Sequence, residues 1–99
     1  MSGLQPFRDR LDELDEEIVA LLGERFQICR EIAAYKSEHA IPMMQPGRVD
    51  EVRAGYAQGA ARAALPPYFT EALFELLIES TCRMEDELMD AAAAEAGAP

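Results

Sequence analysis

Apolar residues recur in a heptad pattern through the first 35 residues, and this pattern constrains the fold more than any other feature of the chain. The spacings between successive apolar positions alternate between three and four residues, which predicts a long helix whose seam packs against another helix. Arg25 is the one charged residue in this heptad seam. The seam consists of Leu4, Phe7, Leu11, Leu14, Ile18, Leu21, Arg25, Ile28, Ile32 and Tyr35.

The charge of Arg25 requires an anion. A guanidinium cannot be deprotonated in a protein, so placing it in an apolar seam is costly unless a carboxylate or another anion faces it. That anion could be an acid of the protein or the carboxylate of a ligand. Arg8 and Lys36 lie on or beside the same stripe. Three cations on an otherwise apolar stripe indicate a pocket for a small polyanion.

The predicted length of the first helix indicates an oligomer. We expect this helix to run from Gln5 to Glu38, which corresponds to roughly 50 Å at the rise of an α-helix. A compact domain of this size has a diameter of only about 26 Å, taken as twice its radius of gyration. The rest of the chain is too small to cover such a seam. The expected fold is therefore an all-α, three-helix chain that forms an intertwined helical-bundle homodimer.

Two shorter helices are expected after the first one. Prolines in residues 39–47 break the first helix, and a second helix is expected from Arg48 to a point before Leu65. A third helix is expected to start at Pro66-Pro67. We predict a helical domain over residues 1–90 and a disordered, alanine-rich tail over residues 91–99. The predicted inner stripe of the third helix consists of Phe69, Leu73, Leu76, Leu77, Ser80, Thr81, Met84 and Leu88.

The composition of the chain argues against some classes of binding partner. The 99 residues carry a net charge of −10, which repels nucleic acid and anionic membranes. We expect no signal peptide, no membrane span and a cytoplasmic location, in which Cys29 and Cys82 stay reduced. His39 is the only histidine, and the cysteines have no metal-binding spacing, so no metal site is predicted.

Several short motifs occur in order along the chain. In this order and at these intervals, they resemble the all-helical chorismate mutase family over nearly the whole length. The resemblance implies three helices per chain and an intertwined homodimer with two active sites inside the helical bundle. The motifs are Arg8, Leu14-Asp15, Leu21-Leu22-Gly23-Glu24-Arg25, Ile32-Ala33-Ala34-Tyr35-Lys36, Ile41-Pro42-Met43-Met44-Gln45-Pro46-Gly47-Arg48 and Leu77-Ile78-Glu79-Ser80-Thr81.

The reaction that the resemblance implies is a Claisen rearrangement, in which the enolpyruvyl ether of chorismate shifts to carbon and gives prephenate. It needs no cofactor, metal or nucleophile. A protein can accelerate it by holding the chair-like conformer and by donating hydrogen bonds to the ether oxygen as the bond to that oxygen breaks. Fixed cations in a dry helical seam suit a dicarboxylate substrate of this kind.

The resemblance also implies roles for individual residues. Arg25 is expected to bind one carboxylate, and Arg8 of the partner chain another. Lys36 is expected to donate to the ether oxygen. Arg48 matches an arginine near the ring of the substrate, and Thr81 matches a position, often serine, that donates to the ring carboxylate.

Two positions depart from the family pattern. Glu85 matches a position at which glutamine or glutamate makes the second contact to the ether oxygen, and a glutamate can donate there only when it is protonated. Val49 stands where many members have a glutamate that contacts the C4 hydroxyl of chorismate. This site therefore either tolerates that loss or recognises a different C4 substituent. Gln45 is a candidate for a hydrogen bond on the C4 side of the substrate.

These departures leave several interpretations open. Branches of the family that act on 4-amino-4-deoxychorismate, in antibiotic pathways, resemble this chain in residues 43–49 and 82–86, whereas chorismate is the commoner substrate. Isochorismate pyruvate-lyases likewise lack the glutamate but keep the two arginines and the lysine. An interpretation of another class is a non-catalytic dimerisation module, in which Arg25 pairs across the interface with an acid such as Glu24 or Asp15. A partner enzyme of the same pathway could also support the activity of such a short chain.

Overall fold

The computed structural model describes residues 3–97, and these residues form three helices with no strand. Helix α1 spans Gln5–Glu38, α2 spans Pro46–Arg62 and α3 spans Pro67–Ala96. The all-α prediction and both ends of α1 are confirmed. Helix α2 begins two positions earlier than Arg48, because the Gln45 carbonyl already accepts the N–H groups of Arg48 at 3.0 Å and Val49 at 3.3 Å. Among the described helices, none has the length and apolarity that crossing a bilayer requires.

Helix α3 packs against both α1 and α2, so it organises the protomer. Its buried residues follow spacings of three and four along one face, as expected for a helix covered on one side. The predicted inner stripe was only partly right. Leu77 and Thr81 are buried, but Phe69 and Leu76 are exposed, and Phe74, which the prediction omitted, is only 2% exposed. The buried positions of α3 are Thr70, Phe74, Leu77, Thr81 and Glu85.

The heptad seam of α1 is open to solvent in the single protomer. Its apolar side chains are between 42% exposed at Ile32 and 63% exposed at Leu21. The radius of gyration is 18.0 Å, and the extents are 66 × 29 × 16 Å. A compact domain of about 100 residues has a radius of gyration near 13 Å. The protomer is therefore elongated, and its longest apolar surface lies outside its own core.

Both inter-helix turns end a helix with an alanine in the left-handed conformation. Ala40 has φ 53° and Ala64 has φ 57°. The N–H of Ile41 donates to the Lys36 carbonyl at 2.9 Å, and the N–H of Leu65 donates to the Ala60 carbonyl at 2.9 Å. These bonds are the 6→1 bonds of Schellman motifs, which satisfy carbonyls left over at a helix end. The first turn folds the chain back so that the segment before α2 lies beside Lys36.

The C-terminal segment is more helical than expected. Helix α3 continues to Ala96, so residues 91–96, which were predicted to be disordered, are helical in the structure. The last two residues of the predicted tail lie outside the described residues. The domain boundary at residue 90 stays a prediction.

Candidate functional site

Three segments of the chain enclose a cavity of about 240 Å³. The C-terminal half of α1 forms one wall, the turn before α2 with the first turns of α2 forms another, and the middle of α3 forms the third. Of the residues predicted for the site, all but Arg8 line this cavity. The lining residues are Arg25, Cys29, Ile32, Lys36, Met43, Met44, Gln45, Arg48, Val49, Val52, Ile78, Thr81, Cys82 and Glu85.

Lys36 is held at two points inside this cavity. Its Nζ donates to the Met43 carbonyl at 2.7 Å and to Glu85 Oε1 at 3.1 Å. The side chains of Lys36 and Glu85 are only 14% and 10% exposed, so their ion pair is largely shielded from water. An ammonium group has three N–H donors. One donor of Lys36 therefore remains for a ligand, at a nitrogen whose position is set by α3 and by the turn.

Arg25 is half-buried, and among residues 3–97 its side chain has only a weak acceptor. Its Nη1 lies 4.0 Å from the Sγ of Cys29, one helical turn further along α1. In the described part of one protomer, Arg25 forms no ion pair with an acid. The pairing with Glu24 or Asp15 that a dimerisation module would use crosses the interface to a second chain and stays a prediction. The charge of Arg25 is thus left for an anion in the cavity or on a partner.

Thr81 is buried, and its hydroxyl is engaged by its own helix. The Oγ1 donates to the Leu77 carbonyl at 2.8 Å and lies 3.4 Å from the Ile78 carbonyl. In this rotamer the hydroxyl offers lone pairs to the cavity rather than its hydrogen. The predicted donation to a substrate carboxylate therefore requires the hydroxyl hydrogen to turn away from the backbone.

The start of α2 contributes one cation and two neutral side chains. Arg48 pairs with Glu51 at 3.2 Å, and both side chains are largely exposed, so water weakens this pair. Gln45 Nε2 donates to the Pro42 carbonyl at 3.0 Å, which orients the amide and leaves its oxygen as an acceptor. Val49 is half-buried one helical turn after Gln45, and it adds an apolar surface to the cavity wall.

Both cysteines line the cavity, although the sequence analysis assigned them no role in the site. Burial raises the pKa of the Cys29 thiol, and the nearby Arg25 opposes that shift only in part. Burial also raises the pKa of Cys82, and Glu85 adds to this shift. Both groups are therefore neutral thiols at pH 7. Cys29 lies one helical turn after Arg25, and Cys82 directly follows Thr81. These positions in the sequence were the signals that could have revealed the two cysteines.

Arg8 is far from this cavity within its own protomer. It is exposed on the N-terminal half of α1, seventeen positions before Arg25, which corresponds to about 26 Å along a helix. Its own protomer therefore cannot bring Arg8 to the site.

A second, larger cavity of about 380 Å³ lies between the end of α1 and the alanine-rich part of α3. Its lining is mainly apolar and includes no arginine. The smaller cavity is the better candidate for an anionic ligand because three cations line it. Among the described residues, no group of three or more His, Cys, Asp or Glu side chains could hold a metal ion.

Known proteins are similar to this chain over most of its length. The family described as chorismate mutase type II matches residues 7–86. A 4-amino-4-deoxychorismate mutase of Streptomyces pristinaespiralis is 40% identical over 96 residues, which cover 97% of this chain and 71% of that protein. One of Streptomyces venezuelae is 41% identical over 86 residues, which cover 87% of this chain and 84% of that protein.

A more distant relative is a larger protein. The T-protein of Enterobacter agglomerans is 24% identical over 84 residues, which cover 85% of this chain but only 22% of the T-protein. No solved structure shows significant similarity to the chain.

Proposed function

Because the chain belongs to the chorismate mutase type II family, and is an enzyme of that type, we propose that its substrate is 4-amino-4-deoxychorismate and its product 4-amino-4-deoxyprephenate. The names of two relatives with 40% and 41% identity support this substrate. Val49 supports it as well, because valine cannot accept a hydrogen bond from the C4 hydroxyl of chorismate. Chorismate itself is the competing candidate.

The cluster of cations is the observation that carries the catalytic part of the proposal. Arg25, Lys36 and Arg48 line one cavity, and among the described residues the side-chain contact of Arg25 is with the Cys29 sulfur and not with an acid. The substrate has two carboxylates, so cations without strong partners are suited to bind it. In this assignment Arg25 binds one carboxylate, Arg48 lies near the ring, and Thr81 contacts the ring carboxylate.

The rearrangement breaks the carbon–oxygen bond of the enolpyruvyl ether and forms a carbon–carbon bond within the same molecule. No proton, electron or second reactant is needed, so the protein acts by orientation and electrostatics. Negative charge develops on the ether oxygen as its bond breaks. The free N–H donor of Lys36 is assigned to that oxygen, and Met43 and Glu85 hold the ammonium in advance. Glu85 is the second group assigned to the region of the ether oxygen.

A homodimer would bring Arg8 to the site. In an antiparallel pairing about the centre of the heptad seam, Arg8 of one chain lies opposite roughly residue 31 of the other, beside Ile32 in the cavity wall. A parallel pairing would place Arg8 opposite Arg8, far from either cavity. We therefore assign the antiparallel pairing, in which Arg8 of each protomer binds a carboxylate in its partner's site.

The cellular setting of the proposed enzyme is the cytoplasm. Free thiols at Cys29 and Cys82 suit a reducing compartment. A pathway enzyme that raises the activity of this short chain is a further candidate partner. Comparing the rate of the purified protein with the rate after adding the enzyme that consumes its product would reveal such a partner.

Product analysis tests the proposal directly. The purified protein is mixed separately with 4-amino-4-deoxychorismate, chorismate and isochorismate, and the products are identified by chromatography and mass. We expect the amino analogue of prephenate to form faster than prephenate. Faster formation of prephenate would make chorismate the substrate, whereas salicylate and pyruvate from isochorismate alone would make the protein a lyase. No conversion of any of the three would contradict the proposed activity.

A further inference from the structure

Helix α2 forms one wall of the site cavity, yet its firmest packing lies away from that cavity. Arg48, Val49 and Val52 line the cavity from the first half of the helix. Among the described residues, α2 packs on α3 and not on α1. In the described structure its one buried residue is Ala60, which lies about 18 Å beyond Arg48 along a helix. The cavity wall therefore needs another attachment to α3.

Arg53 provides this attachment. Its Nη1 donates to Glu71 Oε1 at 2.7 Å and to Glu75 Oε1 at 3.0 Å, and both acids belong to α3. Its guanidinium also lies 4.5 Å from the centre of the Phe74 ring, and Phe74 is almost completely buried. Among residues 3–97, no other side chain forms a hydrogen bond between α2 and α3. Arg53 directly follows Val52, which lines the cavity.

The geometry of this attachment suits positioning more than stability. Arg53 and both of its acid partners are exposed, so water weakens each ion pair. The two acids lie one helical turn apart on α3 and converge on one nitrogen, and the contact with the Phe74 ring adds a cation–π interaction. A guanidinium held from three directions has little freedom to shift along α3. The network therefore fixes where the first half of α2 stands.

We propose that Arg53 is a positioning residue that fixes the cavity wall of α2 on α3. It thereby sets where Arg48 and Val49 stand relative to Lys36. This inference rests on the proposed function, in which Arg48 and Val49 face the substrate. Arg53 itself does not line the cavity. Its loss should weaken substrate binding more than the chemical step, because the ion pair between Lys36 and Glu85 joins α1 directly to α3.

The kinetic test compares the wild-type protein with Arg53→Met, because methionine retains an apolar side chain beside Phe74 but cannot bind the acids. With 4-amino-4-deoxychorismate we expect KM to rise about 3- to 10-fold and kcat to stay within about twofold, since the fraction of molecules with α2 in place falls. Arg53→Lys, which keeps the charge, should restore part of the loss. Arg83→Met removes an exposed ion pair with Glu87 within α3 and should leave both constants unchanged.

Thiol labelling reports the position of α2 without any substrate. Cys29 of α1 and Cys82 of α3 line the cavity for which α2 forms another wall. Both thiols are titrated with dithiobis(nitrobenzoate) at about pH 8, where part of each thiol is ionised. We expect Arg53→Met to label several-fold faster than the wild-type protein, because a displaced α2 opens the cavity. Arg83→Met should label at the wild-type rate.

Two outcomes would overturn the inference. An unchanged labelling rate in Arg53→Met would show that α2 keeps its place without this attachment. A lower melting temperature with an unchanged KM would show that Arg53 serves stability alone. If Arg53→Met does not fold, the double variant Glu71→Gln/Glu75→Gln removes the same network from α3 and must show the same rise in KM and in labelling rate. If the wild-type protein converts no substrate, the proposed function fails, and the labelling rates still decide whether Arg53 fixes α2.

Discussion

The two halves of α1 have the same heptad pattern but different surroundings. The C-terminal half packs on α3, buries Cys29 and Ala33, and presents Arg25 and Lys36 to the cavity. The N-terminal half has no buried residue, and its seam from Leu4 to Ile18 is exposed. The C-terminal half therefore has a second face, beside the seam, that its own chain covers, although its seam residues Leu21, Ile28 and Tyr35 are as exposed as those of the N-terminal half. The N-terminal half has the exposed seam alone and no face that the protomer covers, as expected of a segment that packs on a second chain.

The largest effect is expected from a substitution in the exposed seam of the N-terminal half of α1. Leu14→Glu places a charge in the seam, and the loss of leucine burial alone removes about 1.5–3 kcal/mol per protomer. We expect analytical ultracentrifugation to show a monomer, with activity lost because no partner supplies Arg8. Glu16→Gln, an exposed change outside the seam on the same helix, is the control. A monomeric wild-type protein with full activity would show that the N-terminal half of α1 does not act through a dimer interface.

In the C-terminal half of α1, Lys36→Met should abolish most of the activity while leaving the homodimer intact. Removing a single preorganised donor to a developing oxyanion typically lowers kcat by about 100- to 1,000-fold. Steady-state kinetics with sedimentation on the same sample measures both properties. Arg30→Ala removes an exposed cation of α1 that does not line the site cavity, and it should have little effect. A Lys36→Met variant with near wild-type kcat would exclude Lys36 from the chemistry.

Mixing two inactive variants tests whether Arg8 of one chain and Arg25 of the other act in the same site. Arg8→Ala and Arg25→Ala should each have low activity as homodimers. A mixed dimer contains one site with both arginines and one site with neither, so random exchange should restore about a quarter of the wild-type activity. Failure to recover activity after confirmed subunit exchange would show that Arg8 of one chain does not complete the site that contains Arg25 of the other.

The stability of Arg25→Ala adds a separate criterion. Removing a charge that has no partner should leave the free energy of unfolding unchanged or raise it, whereas breaking a buried ion pair lowers it strongly. Denaturant unfolding measures the difference. A large loss of stability would indicate that Arg25 pairs with an acid across the interface.

The pH dependence with chorismate tests Glu85 within the site. A hydrogen bond from Glu85 to the ether oxygen requires the protonated carboxyl, so a donor role for Glu85 predicts that the rate falls as the pH rises. The other titratable groups that line the site are Arg25, Cys29 and Lys36 from α1, Arg48 from α2 and Cys82 from α3. Burial raises the pKa of both thiols, so they stay neutral near pH 7. A rate that does not change with pH would exclude the donor role.

The smallest effects are expected at two exposed positions. One is changed from alanine to glycine, and the other from glycine to alanine. Ala40 has a positive φ, which glycine adopts without strain, so Ala40→Gly should stabilise the fold. Gly55 lies inside α2, and a Cβ there would meet nothing within 4 Å. Gly55→Ala should stabilise this helix, and each change is worth roughly 1 kcal/mol. Urea unfolding of both variants measures the gain, and a destabilised Ala40→Gly would contradict the assigned backbone conformation.

Much of the fold could be predicted because its signals are local. The heptad spacing, together with the prolines that follow it, was sufficient to place both ends of α1. The stripe of α3 was harder, because Phe69 and Phe74 lie on two apolar faces of similar strength. A helix wheel cannot say which face meets the rest of its own chain. Only the packing of α2 on α3 shows that Phe74 is covered and Phe69 is not.

The sequence by itself determined the helices, the seam and the cations on one face, because these depend on spacing along a single helix. The tertiary structure decided which groups meet. Lys36 and Glu85 are 49 positions apart, and the Met43 carbonyl reaches Lys36 only because the turn at Ala40 reverses the chain. Long-range contacts of this kind depend on how helices pack and where a backbone turns. The ion pair between Lys36 and Glu85, and the position of Cys29 and Cys82 in the same cavity, therefore became apparent only in the folded chain.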